Sequence, residues 1–296
     1  MKLTIRHIII PLLLLIHFAA PANTVKGRIK GIALSNGLSD LLVNVIYKDS
    51  KGYIWFGTEQ AADRFDGNDI VSFQIEGNNR HSKRVKAIAE NRKGSLYIGT
   101  TQGIYLLAPG KTVLEQIAPS TINFSVNAIS SDGVNSLYLA TQQGLYIYNE
   151  RNGNLSHKLP VNDNMSDENE IFDLFAESDG GVWMISSHNL WHKPYSSNTI
   201  SPYPLNIRTS TTHFARSGNT IYIGTIGDGI IPFNIKTKRF DNPIIFNNSP
   251  ITSLSVTKDG ILTIGTDGEG IYLFNTETDK IFDHISTTDG LRSNAV

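Results

Sequence analysis

The side chains in this sequence that could do chemistry are few and scattered. Trp191, His192 and Tyr195, with His188 close by, place aromatic faces beside ring nitrogens. Asp63 and Arg64 put a carboxylate and a guanidinium side by side. Those five residues, Trp191, His192, Tyr195, Arg64 and Asp63, are the candidate ligand contacts: flat rings stack on a ligand and planar polar groups fix its orientation. His188 and His192 stand four apart on an expected hairpin, a spacing that does not converge on a metal. Gly227-Asp228-Gly229 and Asp267-Gly268-Glu269-Gly270 resemble cation loops only in composition, since calcium needs more oxygen ligands than either offers. Arg80, His81, Lys83, Arg84 and Lys86 form a small basic cluster, read as solvated loop charge or as a contact for an acidic sugar. H-E-x-x-H, G-x-S-x-G and the phosphate-binding G-x-x-x-x-G-K-[ST] do not occur. With no cysteine, thiol nucleophiles, cysteine–zinc sites and disulfides are excluded, and no cofactor is expected.

What must position these groups is a repeat. Tyr53-Ile54-Trp55-Phe56-Gly57-Thr58 is echoed at Ile98-Gly99-Thr100, Leu139-Ala140-Thr141, Ile223-Gly224-Thr225 and Ile264-Gly265-Thr266, with a degenerate copy at Trp183-Met184-Ile185-Ser186. From Gly57 the steps to Gly99, Ala140, Ile185, Gly224 and Gly265 are 42, 41, 45, 39 and 41 residues. Each copy holds four short alternating apolar pieces, and the first two are joined by a turn such as Asp49-Ser50-Lys51-Gly52. No stretch sustains a 3.6-residue period. Four strands per unit at this spacing predict an all-β protein, a β-propeller of four-stranded blades. The expected blades are 43–74, 85–117, 126–159, 171–205, 212–245 and 251–285, with 286–296 starting another. Trp55, Tyr97, Tyr138, Trp183 and Tyr222 occupy equivalent positions and should fill the space between blades.

The two ends extend this reading. Gly37 and Gly290 are 253 residues apart, about six repeats. Ile29–Ala33 therefore reads as an N-terminal clasp strand, the outer strand of a seventh blade beyond six complete ones. Residues 1–22 have the layout of a signal peptide: basic Lys2 and Arg6, an apolar run from Ile8 to Ile16, and Ala20-Pro21-Ala22. Residues 23–296 are then the propeller. A formal net charge of −1 and the absence of a long basic run argue against nucleic-acid contact.

Asn36-Gly37-Leu38-Ser39, followed by Val43-x-x-Ile46-x-x-Asp49-x-x-Gly52-x-Ile54-Trp55-Phe56-Gly57-Thr58 and Arg64-Phe65-Asp66-Gly67, resembles the two-component regulator propeller repeat. The chain looks like the start of the periplasmic sensor of a Bacteroides-type hybrid two-component system. Ala61-Ala62 and Asn189-Leu190 stand where Gly-Leu is usual. The resemblance implies a periplasmic sensor with a second propeller and an immunoglobulin-like domain in the same parent chain, which is anchored in the inner membrane. It also implies a homodimer, an oligosaccharide ligand from glycan breakdown, and a histidine kinase outside these residues. On that reading the chain itself is not an enzyme. A propeller glycosidase or polysaccharide lyase, which needs carboxylates around the central channel, is the alternative; a structural protein-interaction propeller is another.

Overall fold

A computed structural model gives the structure and describes residues 31–75, 84–118, 121–158 and 170–296. These residues form six four-stranded antiparallel sheets, each built from four strands consecutive in sequence. In blade 1 the strands are Val43–Lys48, Ile54–Thr58, Ala61–Phe65 and Ile70–Gln74; in blade 6 they are Ile251–Val256, Ile261–Thr266, Gly270–Asn275 and Lys280–Ile285. First strands of successive blades lie against one another, so they are innermost and face the axis. The molecule is a six-bladed β-propeller. Its only helical pieces among the described residues are two 3-10 turns, Leu34–Asn36 and Thr287–Asp289. No helix among those residues is long and apolar enough to cross a membrane.

The local reason for each hairpin is visible in its turn. Asp49 Oδ1 accepts the amide protons of Lys51 and Tyr53, at 3.0 and 2.9 Å, while Gly52 takes the left-handed conformation at φ +91°. Asn91 does the same for Lys93 and Ser95 in blade 2, and Asp132 for Val134 and Ser136 in blade 3. At the other end of the second strand, the threonine of the Gly-Thr pair latches the next turn. Its hydroxyl donates to a carbonyl in five blades: Thr58 to Ala61, Thr100 to Gly103, Thr141 to Gly144, Thr225 to Gly229 and Thr266 to Gly270.

The core is divided between the blades. Five apolar clusters are each shared by two successive blades, and each contains one of the repeated aromatics. Trp55 packs with Ile98 and Leu107 of blade 2, Tyr97 with Leu139 of blade 3, and Tyr138 with Leu174 of blade 4. Trp183 packs with Phe233 of blade 5, and Tyr222 with Phe274 of blade 6. Gly57 is small because the neighbour demands it: a Cβ there would stand 2.5 Å from Val85 Cγ1 of blade 2. Among the described residues no sixth cluster joins blade 6 to blade 1. The ring has a seam there, and Gly31 lies against the Arg292 side chain beside it.

The expected clasp strand, Ile29–Ala33, is described only in part. Ile29 and Lys30 lie outside the described residues, as do residues 1–22, and Gly31–Ala33 join no sheet. Each of the six sheets is complete with four strands of its own, and none of them is the seventh blade that the clasp was expected to close.

Candidate functional site

In five of the six blades the innermost strand slips its pairing near its start. The slips fall between Val43 and Val45, Val85 and Ala87, Val126 and Ala128, Thr211 and Phe214, and Ile251 and Ser253. In three of the five the first residue is held by packing: Val85, Val126 and Ile251 each seat on a glycine of the preceding blade (Gly57, Gly99 and Gly224), two residues before the regular ladder resumes. A bulge leaves the intervening residue out of the ladder and re-aims its side chain. The residues left out are Asn44, Lys86, Asn127, Thr212 with His213, and Thr252, one set in each of the five slipped blades; Thr212 Oγ1 is buried beside Gly224 and Thr252 Oγ1 donates to the Val296 carbonyl.

Asn44, Lys86, Asn127 and His213 join neighbouring polar side chains in a belt across blades 1 to 5. Asn44 Nδ2 donates to Glu59 Oε1 at 3.2 Å, and Glu59 Oε2 pairs with Arg84 Nε at 2.9 Å. Lys86 Nζ donates to Ser125 Oγ at 3.2 Å and to Asn127 Oδ1. Asn127 Nδ2 donates in turn to Glu170 Oε1 and to the Ile171 carbonyl, both at 2.9 Å. In blade 4, Asp173 Oδ2 lies 3.4 Å from His213 Nδ1 and accepts the Phe214 amide proton at 3.3 Å.

The belt is electrically tuned. Burial lowers the Lys86 pKa, with Glu170 opposing the shift. For His213, half of whose side chain is exposed, partial desolvation also works against the charge, but the hydrogen bond and charge of Asp173 outweigh it and the imidazole pKa is raised. The Lys86 charge opposes this shift weakly, across from blade 2 to blade 5. The belt presents amide, ammonium and imidazole donors interleaved with carboxylate and amide acceptors, a set suited to a ligand rich in hydroxyls. Among the described residues no group of three or more histidine and carboxylate side chains is arranged to hold a metal.

The five residues singled out from sequence are not brought together. Trp191 is buried at 5% exposure, and its indole N–H donates to Ser186 Oγ at 2.9 Å. Ser186 stands in blade 4 where the other blades have the latching threonine, so Trp191 belongs to the frame. Its face is covered by the core shared with blade 3. His192 stacks on Trp183 at 4.1 Å between ring centroids and meets Glu177 at 3.2 Å. Tyr195 is 70% exposed. Asp63 is fully buried, and its Oδ2 accepts from the Ser39 amide and hydroxyl at 2.8 and 2.7 Å, tying the segment before blade 1 to its third strand. Arg64 lies half-buried in a groove between blades 1 and 2. Asp228, in one of the cation-like loops, accepts from Thr209 N and Oγ1 and from Arg208 N, which makes that loop a turn. Of the basic cluster, Arg84 and Lys86 join the belt, whereas Arg80, His81 and Lys83 lie outside the described residues.

Sequence reasoning missed Asn44, Asn127, Glu170, Asp173 and His213. A signal was present: a β-branched residue followed by a polar one and then a small or apolar one, at Val43-Asn44-Val45, Val85-Lys86-Ala87, Val126-Asn127-Ala128 and Ile251-Thr252-Ser253.

With this geometry in view, comparisons with known proteins place the fold. The family model described as two component regulator propeller matches residues 37–60. The extracellular domain of the hybrid two component system BT4673 from B. thetaiotaomicron superposes with a TM-score of 0.74 at 21% identity, over 88% of this chain. That of BT3049 from the same organism gives 0.73 at 19% identity, over 90%. The chain spans 36% and 38% of the length of those two structures. A streptogramin B lyase gives 0.68 at 14% identity, over 82% of this chain and 81% of its own. No curated protein sequence matches the chain. The chain is a six-bladed propeller that carries a two component regulator propeller repeat and has the fold of the extracellular domains of hybrid two component systems.

Proposed function

We propose that this chain is the ligand-sensing propeller of a hybrid two-component signalling protein, and that it binds oligosaccharides released by glycan breakdown. The observation that carries the reading is the belt of bulge side chains at the channel mouth. It sits on a fold shared with extracellular domains of such systems and offers the hydrogen-bonding set a sugar needs. On this reading the propeller works in the periplasm, as part of a dimeric parent held in the inner membrane. A second propeller and an immunoglobulin-like domain pass the signal to a kinase outside these residues, and nucleic acid is not among the contacts of this region. The chain binds and does not cleave. Glu170 and Asp173, the carboxylates a channel hydrolase would use, are each engaged by neighbours in the belt.

Calorimetric titration with a panel of glycan oligosaccharides tests this. A binding member is expected, and Lys86→Met should weaken it about 5- to 30-fold, the equivalent of one or two hydrogen bonds at about 1 kcal/mol each; Asn127→Ala, which removes the acceptor that positions Lys86, should weaken it too. Binding unaffected by Asn127→Ala and Lys86→Met would move the site off the channel. Release of shortened products by the isolated chain would favour the glycosidase or lyase reading instead.

A further inference from the structure

Blades 1 and 4 form a natural comparison. Each has a tryptophan on its second strand, and each sets a basic side chain directly across from it on the third: Arg64 opposite Trp55, His192 opposite Trp183. The other aromatic-bearing blades have Leu106, Ile147 and Pro232 at that position. Blades 1 and 4 also carry an acid six residues before the tryptophan, Asp49 and Glu177. They use it differently.

In blade 4 the acid serves the bases. Glu177 meets His192 Nε2 at 3.2 Å and Arg216 Nη1 at 2.7 Å, and the buried Trp183 Nε1 has no hydrogen-bond partner. In blade 1 the acid serves the indole. Asp49 Oδ2 accepts from Trp55 Nε1 at 2.9 Å, while Oδ1 is taken by the two backbone amides of its turn. Arg64 is left with aromatic faces. Its guanidinium carbon sits 4.7 Å from the Tyr53 ring centroid and 5.6 Å from that of Phe73, and its buried Nε has no hydrogen-bond partner. A buried guanidinium N–H without an acceptor is costly. Of the acids nearby, Asp66 is exposed, accepts the amides of Asn68 and Asp69 with one oxygen and feels the Arg64 charge without a hydrogen bond to its Nε, and Glu90 accepts from Ser50.

Above Arg64 a groove of about 260 Å³ opens between blades 1 and 2, lined also by Lys51, Tyr53, Lys111 and Thr112. Three cations thus surround a space whose one lining carboxylate, Asp49, is turned to the frame. We propose that this groove is an oxyanion site taking a single carboxylate or sulfate group. The Arg64 fork is its principal donor, the Tyr53 ring is its floor, and Lys51 and Lys111 stand at its rim. A guanidinium held flat on an aromatic ring presents its free edge for two parallel hydrogen bonds to such a group. The volume suits one acidic sugar residue or a small free anion. This site is separate from the channel belt and stands or falls independently of the sensing reading.

The test is titration of the full chain with sodium sulfate, sodium glucuronate and neutral glucose at constant ionic strength, read by calorimetry and tryptophan fluorescence. At least one of the two anions is expected to bind and glucose not. Binding of glucuronate assigns a sugar-borne carboxylate, and binding of sulfate alone assigns a free inorganic ion. Arg64→Gln should weaken anion binding at least tenfold, and Arg64→Lys, which keeps the charge but loses the fork, by several-fold. Lys238→Gln, over Trp183 in blade 4, should change nothing. Failure of both anions to bind, or unaltered binding in folded Arg64→Gln, overturns the proposal. If Arg64→Gln does not fold, circular dichroism will show it, and Arg64→Lys then decides: equal affinity to the unaltered chain overturns the site.

Discussion

Two histidines in this molecule are shifted in opposite directions, and each shift is a statement about stability. His213 gains Asp173 against the cost of burial and its pKa is raised, with the Lys86 charge opposing. The unfolded chain titrates near the ordinary value of about 6.5. The His213–Asp173 pair therefore contributes fully below that pH, and its contribution fades as pH rises through the raised folded value. His192 is the reverse. Burial against Trp183 lowers its pKa, Glu177 and Asp179 favour the charge, and Lys238 opposes it. The folded state prefers neutral His192, so its contribution is present above the ordinary value and is lost as pH falls from there through the lowered folded value. Proton NMR titration of the imidazole Hε1 signals should find His213 titrating above His192; the opposite order would remove the electrostatic account of the belt. The sequence could not give this. His192 looked like a ligand contact because its register against Trp183 is invisible until the hairpin is paired, and His213 drew no notice because its partner Asp173 lies on another blade.

At the scale of the element, the repeated Gly-Thr is two devices in succession. The glycine lets the next blade's first residue seat, and the threonine hydroxyl closes the following turn. Gly99→Ala should cost about 1–3 kcal/mol by overpacking, since the new Cβ would lie 2.9 Å from Val126 Cγ1 of blade 3. Thr100→Val, nearly the same shape, should cost about 1–2 kcal/mol for the hydroxyl's two lost hydrogen bonds, to the Gly103 carbonyl and from the Gln102 amide. Both are read from urea midpoints, and a neutral result for either would sink its role. This much was legible, because a position that recurs every 39 to 45 residues and is glycine in four of six copies announces a tight backbone approach. The bulges were not. A bulge breaks alternation by a single residue, and Asn44 or Lys86 in a line of text looks like an ordinary solvent-facing position. Trp191 misled for a related reason: it looked surplus to the pattern until Ser186 was seen to accept its N–H.

Across the whole molecule, the five shared cores make stability a matter of neighbours. Blades 2 to 5 are sandwiched on both faces, whereas blades 1 and 6 each present one face to the seam. The innermost strand of blade 1 shows the difference: Ile46 is 66% exposed, and its counterpart Ile88 in blade 2 is 6% exposed. In an array whose interfaces add nearly independently, the ends open first. Hydrogen exchange should therefore be faster in Val43–Lys48 than in Val126–Ser131. Equal protection would mean that something covers the seam.

The bulge ring has one more implication. Its polar side chains are supplied by separate repeats, and each hangs from a backbone slip fixed by packing elsewhere. A single nucleotide change can then replace Asn127 or Thr252 without disturbing the strand that carries it. Diversity at the channel mouth can accumulate one blade at a time, so a duplicated gene would acquire a new preference by changing letters and not by rebuilding the scaffold.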